Sequence, residues 1–299
     1  VKRLISLLLV AVISVSTLVA CANYDFAEND QYIIEVKAVE DMIADGAILV
    51  DARNADEYGA NHIAGAINIP MSSLVTTRDD VPGLLVGAEA VEECLSKAGI
   101  SESDTLLIYD DNANMKAARV QWSLNYYGNF NVYVVSGGLK SLEKAGLELT
   151  TSSTNLTQSS YRTGEVQKRL LVSIEYLQSI IDNPEEDTYI IDTRSNKEFY
   201  AGTIPGSIHI EYVWNNYANG EYKTARDIRL TYLDKGIMPE DKIILFCKSS
   251  VRAAQTYTAL KNAGYQDVRI YDGAWLEYEA VNGPQKPVEN VTPAPSNGS

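Results

Sequence analysis

The sequence predicts an α/β protein built twice, each half a mostly parallel sheet flanked by helices. Short, nearly continuous apolar runs alternate with helical patterns. In the first half these runs are Ile48-Leu49-Val50, Thr105 to Tyr109 and Asn131 to Val135; in the second they are Ile190-Ile191, Lys242 to Phe246 and Asp267 to Tyr271. Runs of this kind suit strands buried on both faces of a parallel sheet. The halves also repeat. Asp51-Ala52-Arg53, Asp56-Glu57-Tyr58 and His62-Ile63-Ala64-Gly65-Ala66-Ile67 recur, at one constant spacing, as Asp192-Thr193-Arg194, Lys197-Glu198-Phe199 and Thr203-Ile204-Pro205-Gly206-Ser207-Ile208. A repeat this long implies duplicated globular domains, since solenoid units are shorter.

In chain order, Lys2 and Arg3 precede an apolar run from Leu4 to Val19, and Leu18-Val19-Ala20-Cys21 follows. That order is a secretory signal, and the run is shorter than the roughly 20 residues of a membrane span. Leu-Val-Ala-Cys resembles the bacterial lipoprotein signal. The resemblance implies removal of residues 1–20, a lipid on Cys21, and an extracytoplasmic protein tethered to the membrane through residues 21–30. The first domain is expected over 31–147, a Ser/Thr/Asn-rich connector over 148–165, the second domain over 166–282, and a disordered, proline-containing tail over 283–299. Within the domains, Lys116 to Tyr127 and Arg252 to Ala263 read as helices stopped by Gly128 and Gly264.

The net charge of −15 argues against a nucleic-acid partner. It also disfavours adsorption to anionic lipid, which makes a covalent lipid the better tether. A small anion can still be held by local amides within an acidic protein. With Cys21 assigned to lipid, Cys94 and Cys247 remain, so no disulfide framework is written into the chain. Cys94 falls in a helical stretch and reads as core packing. His62 and His209 lie far apart with no clustered partners, so no metal site and no cofactor are expected.

Cys247 stands between the strand run Lys242 to Phe246 and Lys248-Ser249-Ser250-Val251-Arg252, where a helix begins. Ligands of such folds sit beyond the carboxyl ends of the strands. A strand-to-helix turn aims backbone N–H groups at whatever sits there, which lowers a thiol pKa. A lone cysteine is more often a small buried hydrophobe; here the flanking residues favour a nucleophile. Asp110 occupies the equivalent place in the first half. Lys248 reads either as a charge that attracts an anion or as a solvated lysine. Arg252 reads as anion-binding, carboxylate-paired, or both. Asp192 and Arg194 brace or line the loop end, as Asp51 and Arg53 do in the first half, and Trp275 walls the pocket or packs in the core. His62 reads as a structural hydrogen-bonding residue.

These residues, with Gly202-Thr203-Ile204-Pro205-Gly206-Ser207 and Tyr271-Asp272-Gly273-Ala274-Trp275, resemble the tandem-domain rhodaneses, the thiosulfate sulfurtransferases. The resemblance runs from about Tyr32 to Ala280. It implies two rhodanese-like domains, a catalytic Cys247 that carries a persulfide, and an inactive first domain marked by Asp110. It also implies substrate contacts from residues 248–252, a small anionic sulfur donor, and cyanide, a thiol or a thiol-containing protein as acceptor. Four residues separate Cys247 from Arg252, whereas related cysteine phosphatases need five to wrap a phosphate. The chain departs from the family in three places. It has one basic residue after the cysteine, Ser250 in place of a common glycine, and Glu198 where animal members carry a substrate-binding arginine. A mercaptopyruvate donor, a persulfide carrier without turnover, and a purely structural duplicate are the competing readings.

Overall fold

A computed structural model describes residues 32–283 and 285. The expected leader, Cys21 with its lipid, the 21–30 tether and the remainder of the tail lie outside the described residues.

Two five-stranded sheets, parallel at every neighbouring pair, centre the two domains. Across the first, the strands lie in the order Ile33–Ile34, Val132–Val135, Leu106–Tyr109, Ile48–Asp51, Ile67–Asn68. Across the second they lie in the order Leu171–Val172, Asp267–Tyr271, Lys242–Phe246, Thr188–Asp192, Ile208–His209. The two orders correspond strand for strand, so the sequence repeat is a repeat of topology. Helices cover both faces, and the central strands are buried throughout: Leu106, Leu107, Ile108 and Tyr109 in one sheet, Ile243 to Phe246 in the other. This is why their apolar runs are continuous instead of alternating. Register sets Asp51 beside Tyr109 and Asp192 beside Phe246. The residues that follow, Asp110 and Cys247, therefore leave their sheets at the same edge as the Asp/Arg motifs.

Each central strand leads into a long helix, Met115–Tyr126 or Val251–Asn262, one residue earlier than the sequence pattern suggests. Gly128 and Gly264 follow them at φ 81 and 85, a left-handed conformation that glycine adopts at little cost. The two helices pack on each other. Ala117, Ala118, Ala253 and Ala254 are fully buried there and let the backbones approach. A polar contact joins them, the Thr258 hydroxyl donating to Gln121 Oε1 at 2.6 Å, and Asn262 Oδ1 ties the second helix to the first sheet's edge strand by accepting the N–H groups of Tyr32 and Ile33 at 3.0 and 3.1 Å. One apolar core therefore runs through both domains, joining Ile108 and Trp122 to Leu245 and Tyr257. Smaller cores fill the outer face of each sheet. A shared apolar core of this kind opposes free movement of one domain against the other.

The polar connector is tied down along the first domain. Leu149–Thr150 pairs antiparallel with His62–Ile63, and the buried Tyr161 donates its N–H to Ser96 Oγ at 2.9 Å.

Candidate active site

The strand Lys242–Phe246 ends at Cys247, a residue only 1% exposed, and Cys247 is among the groups that raise the Arg252 pKa. Lys248 is exposed, Ser249 half-buried and Ser250 buried. Ser250 caps the helix at φ 62, ψ 0, a left-handed conformation that costs a residue with a Cβ about 1–2 kcal/mol. Its hydroxyl lies 2.9 Å from the carbonyl oxygens of both Tyr271 and Asp272, which secures the conformation a glycine would adopt freely. The backbone of the last helix closes the other side, with Trp275 N–H donating to the Cys247 carbonyl at 3.0 Å and Leu276 N–H to that of Lys248 at 3.3 Å. The carbonyls of Cys247 and Lys248 are thus engaged. Among the described residues, the N–H groups of residues 248–253 find no acceptor in the protein.

Asp192 and Arg194 brace this edge. The Arg194 backbone N–H and Nε each donate to Asp192 Oδ1, at 2.9 and 3.0 Å, and Nη2 donates to Oδ2 at 2.7 Å and to the Gly202 carbonyl at 2.6 Å. Both side chains are buried. The Arg194 guanidinium stacks 4.2 Å from the Trp275 ring, so Trp275 packs on the brace. Asp51 and Arg53 form the same clamp in the first domain. Arg252, in contrast, meets Glu198 through a two-pronged pair at 2.6 and 2.8 Å. Glu198 is also the third residue of a capping box with Ser195. The Arg252 hydrogen bond outweighs burial and holds the Glu198 carboxyl down at about 2. Burial works against the Arg252 charge, but Glu198 and Cys247 together raise its pKa.

The first-domain loop contains its own anion. Asp110 Oδ1 accepts the N–H groups of Asn112 at 2.8 Å and Asn114 at 3.1 Å, and Oδ2 accepts that of Ala117 at 3.0 Å. Burial raises the pKa of this carboxyl, and the N–H donors offset only part of that rise. Every partner of its oxygens is a donor, as suits the ionised, acceptor-only form. His62 is buried between the carbonyls of Tyr58 and Ser152, at 2.8 and 3.2 Å, and stacks on Tyr58. Cys94 is half-buried in the wall of a cavity of about 620 Å³ in the first domain; none of the residues 247–252 lines it.

The structure adds residues that the sequence pattern did not mark. A first-domain hairpin, Val75–Arg78 with Val81–Leu85, reaches the Cys247 loop. A Cβ built on Gly83 would sit 3.2 Å from that of Ser249. Arg119 and Asp272, at the base of the hairpin, form a buried ion pair at 2.7 Å. Their contacts join residues from separate domains, and no local spacing announces them. The charge of Arg119 between the apolar Ala118 and Val120 was the available signal.

The chain matches the rhodanese-like domain family twice, over residues 35–145 and 173–281. It is 28% identical over 273 residues to a Saccharopolyspora erythraea protein provisionally named a thiosulfate sulfurtransferase, covering 85% of this chain and 94% of that protein. It is 26% identical over 252 residues to the 3-mercaptopyruvate sulfurtransferase of Escherichia coli, covering 80% and 88%. Among solved structures, the anaerobic ergothioneine biosynthesis enzyme of Chlorobium limicola is similar in fold, with a TM-score of 0.76 at 20% identity over 86% of this chain and 71% of that one. With both halves matched, the chain belongs to the rhodanese family of sulfurtransferases, as a tandem of two rhodanese-like domains.

Proposed function

We propose that the protein moves a sulfane sulfur from thiosulfate, or a related small anionic donor, to cyanide or a thiol through a persulfide on Cys247. The observation that carries this reading is the row of N–H groups at residues 248–253 that have no acceptor among the described residues, beside the buried Cys247 thiol. The first domain supports it, because its equivalent donors hold a carboxylate.

In the first step the Cys247 thiolate attacks the outer sulfur of thiosulfate. The new S–S bond forms as the old one breaks, and sulfite leaves with the electron pair. The persulfide anion is stabilised by the loop N–H groups, which are fixed in place before charge arrives. In the second step cyanide attacks the outer sulfur, thiocyanate departs and the thiolate is restored. A thiol acceptor leaves as its own persulfide. Lys248 and Arg252 draw in the anionic donor, with Glu198 offsetting part of the Arg252 charge. Asp192, Arg194 and Trp275 hold the loop end in place. The leader motif supports doing this chemistry outside the cytoplasm, on a lipid anchored at Cys21, where a thiol-containing protein is a suitable acceptor.

Thiocyanate release from a panel of thiosulfate, mercaptopyruvate and polysulfide tests the reading, together with intact-mass detection of one added sulfur. Turnover with thiosulfate, lost in Cys247→Ser, is the expected result. A preference for mercaptopyruvate would change the donor and leave the mechanism standing. Stable sulfur loading without turnover would make the protein a carrier. No loading from any donor would sink the proposal.

A further inference from the structure

The first domain also reaches the Cys247 loop of the second, and the contact is asymmetric in a way the duplication does not require. The hairpin strand Val81–Leu85 lies close across the loop: a Cβ at position 83 would meet that of Ser249 at 3.2 Å, and φ there is +85, where a side chain is strained. Two charged residues clasp it there. Asp272 Oδ2 accepts the Leu85 N–H at 2.7 Å, and Arg119 Nη2 donates both to Asp272 Oδ1 at 2.7 Å and to the Gly83 carbonyl at 3.0 Å. The Asp272 carbonyl faces the Ser250 hydroxyl. The residue that holds the hairpin thus also holds the left-handed turn of the catalytic loop.

The duplicated fold supplies a control. On the opposite side of the pseudo-symmetric molecule, the bridge between Asn216 and Tyr222 carries a second-domain hairpin onto the Asp110 loop. Gly220 and Tyr222 occupy the places of Gly83 and Leu85. Here Ser136 Oγ accepts the Tyr222 N–H at 2.9 Å, and Asn114 Nδ2 donates to the Gly220 carbonyl at 3.0 Å. Ser136 follows its strand as Asp272 does, and Gln255 stands in its helix where Arg119 stands. The side with Asp110 is therefore held by neutral groups and the side with Cys247 by a buried ion pair. That pair is also incompletely satisfied: Arg119 is fully buried, stacked 4.6 Å from Trp122, yet its Nε and Nη1 have no hydrogen-bond partner among the described residues. A buried guanidinium with two unused donors is a costly way to fix a loop. Fold stability alone does not account for its presence on the thiol side only.

We propose that the Val75–Leu85 hairpin is a lid on the Cys247 loop and that Arg119 and Asp272 are positioning residues that hold it shut, restricting which sulfur acceptors reach the thiol. The proposal rests on Cys247 being the sulfur carrier. A small linear acceptor such as cyanide passes under the closed lid. A larger thiol needs the clasp to release, which matches a thiol only 1% exposed in the clasped state.

The test transplants the neutral clasp. The double variant Arg119→Gln with Asp272→Ser installs at the catalytic side the residue types that the other side already carries, and Asp272→Asn alone supplies a milder change should the double variant not fold. Two quantities are measured: the rate at which a bulky maleimide modifies Cys247, read on its own peptide by mass spectrometry, and kcat/KM with cyanide against glutathione. Loosening the lid should speed maleimide modification about tenfold, as expected when a local opening gains that factor in population. It should also raise the glutathione-to-cyanide ratio. Folded variants with unchanged Cys247 reactivity and an equal loss for both acceptors would show a structural clasp and overturn the proposal. A Cys247 that never accepts sulfur would instead sink the catalytic reading, while the maleimide rate would still report on the lid.

Discussion

In the first domain the turn after Tyr109 closes on a carboxylate of its own, whereas in the second the turn after Phe246 closes on a thiol. Four residues lie between Asp110 and the helix starting at Met115, and three lie between Cys247 and the helix starting at Val251. The longer turn needs two consecutive left-handed residues, Ala113 and Asn114 at φ 54 and 64; the shorter needs Ser250 alone. The outcomes differ chemically. A loop whose donors already hold an anion is satisfied in its resting state and has nothing left to offer a reaction. A loop whose donors lack a protein acceptor can stabilise a charge that appears only when sulfur is transferred. The same cradle is closed on its own carboxylate in one copy and left open to an incoming charge in the other.

Exchanging the anions is the largest way to break this comparison. Cys247→Asp removes the nucleophile, so sulfur transfer should fall to background in a thiocyanate assay. If the second loop is the same cradle, its N–H groups should also take up the new carboxylate as those of Asn112, Asn114 and Ala117 do. The melting temperature of Cys247→Asp should then equal or exceed that of Cys247→Ala. A melting temperature far below the alanine variant would mean that the shorter turn cannot seat an anion on the strand-end side chain, and the equivalence would fail.

The converse change is smaller. Asp110→Ala leaves three loop N–H groups without their acceptor, two of them on buried residues. Buried donors left unsatisfied cost about 1–3 kcal/mol each, and water entering the gap offsets part of this, so a loss on the order of 3 kcal/mol is expected in urea unfolding. Asp110→Asn keeps the shape and one acceptor oxygen and should recover part of the loss. Thiocyanate formation should persist in both, since Asp110 serves the first loop.

Much of this was legible in the sequence because the controlling features are local. Continuous apolar runs such as Lys242 to Phe246 mark strands buried on both faces, and Gly128 and Gly264 mark helix ends that only a left-handed residue completes. The repeat placed Asp110 opposite Cys247 without any coordinates. Long-range contacts could not be read this way. Nothing adjacent to Arg119 in sequence indicates that its partner is Asp272 in the other domain, or that Gly83 lies against Ser249. Glu198 was visible only as a departure from a family pattern. Its part in a capping box and in a fork with Arg252 depends on how the helix start meets the loop.

The ion pairs behind the two loops give the finest comparison, through pH. Lys116 Nζ contacts one oxygen of Glu57 at 2.8 Å, while Arg252 grips both oxygens of Glu198. Both carboxylates sit at the third position of a capping box, where glutamine keeps the capping contact, so Glu→Gln removes mainly the charge. Glu198 drops from an ordinary 4.5 to about 2, chiefly through the Arg252 hydrogen bond. A depressed folded-state pKa contributes stability that is complete above the unfolded value and lost as pH falls through the folded one. The stability advantage of wild type over Glu198→Gln should therefore be full at about pH 6 and shrink between 4.5 and about 2. After allowance for solvent screening of a partly exposed pair, that advantage is about 1 kcal/mol, and the more exposed Glu57→Gln should cost less than about 0.5 kcal/mol. Urea midpoints measured over this pH range decide between them. Equal, flat responses would mean that the two-pronged contact adds nothing to the brace behind Cys247, and that the loops differ only in the anion they hold.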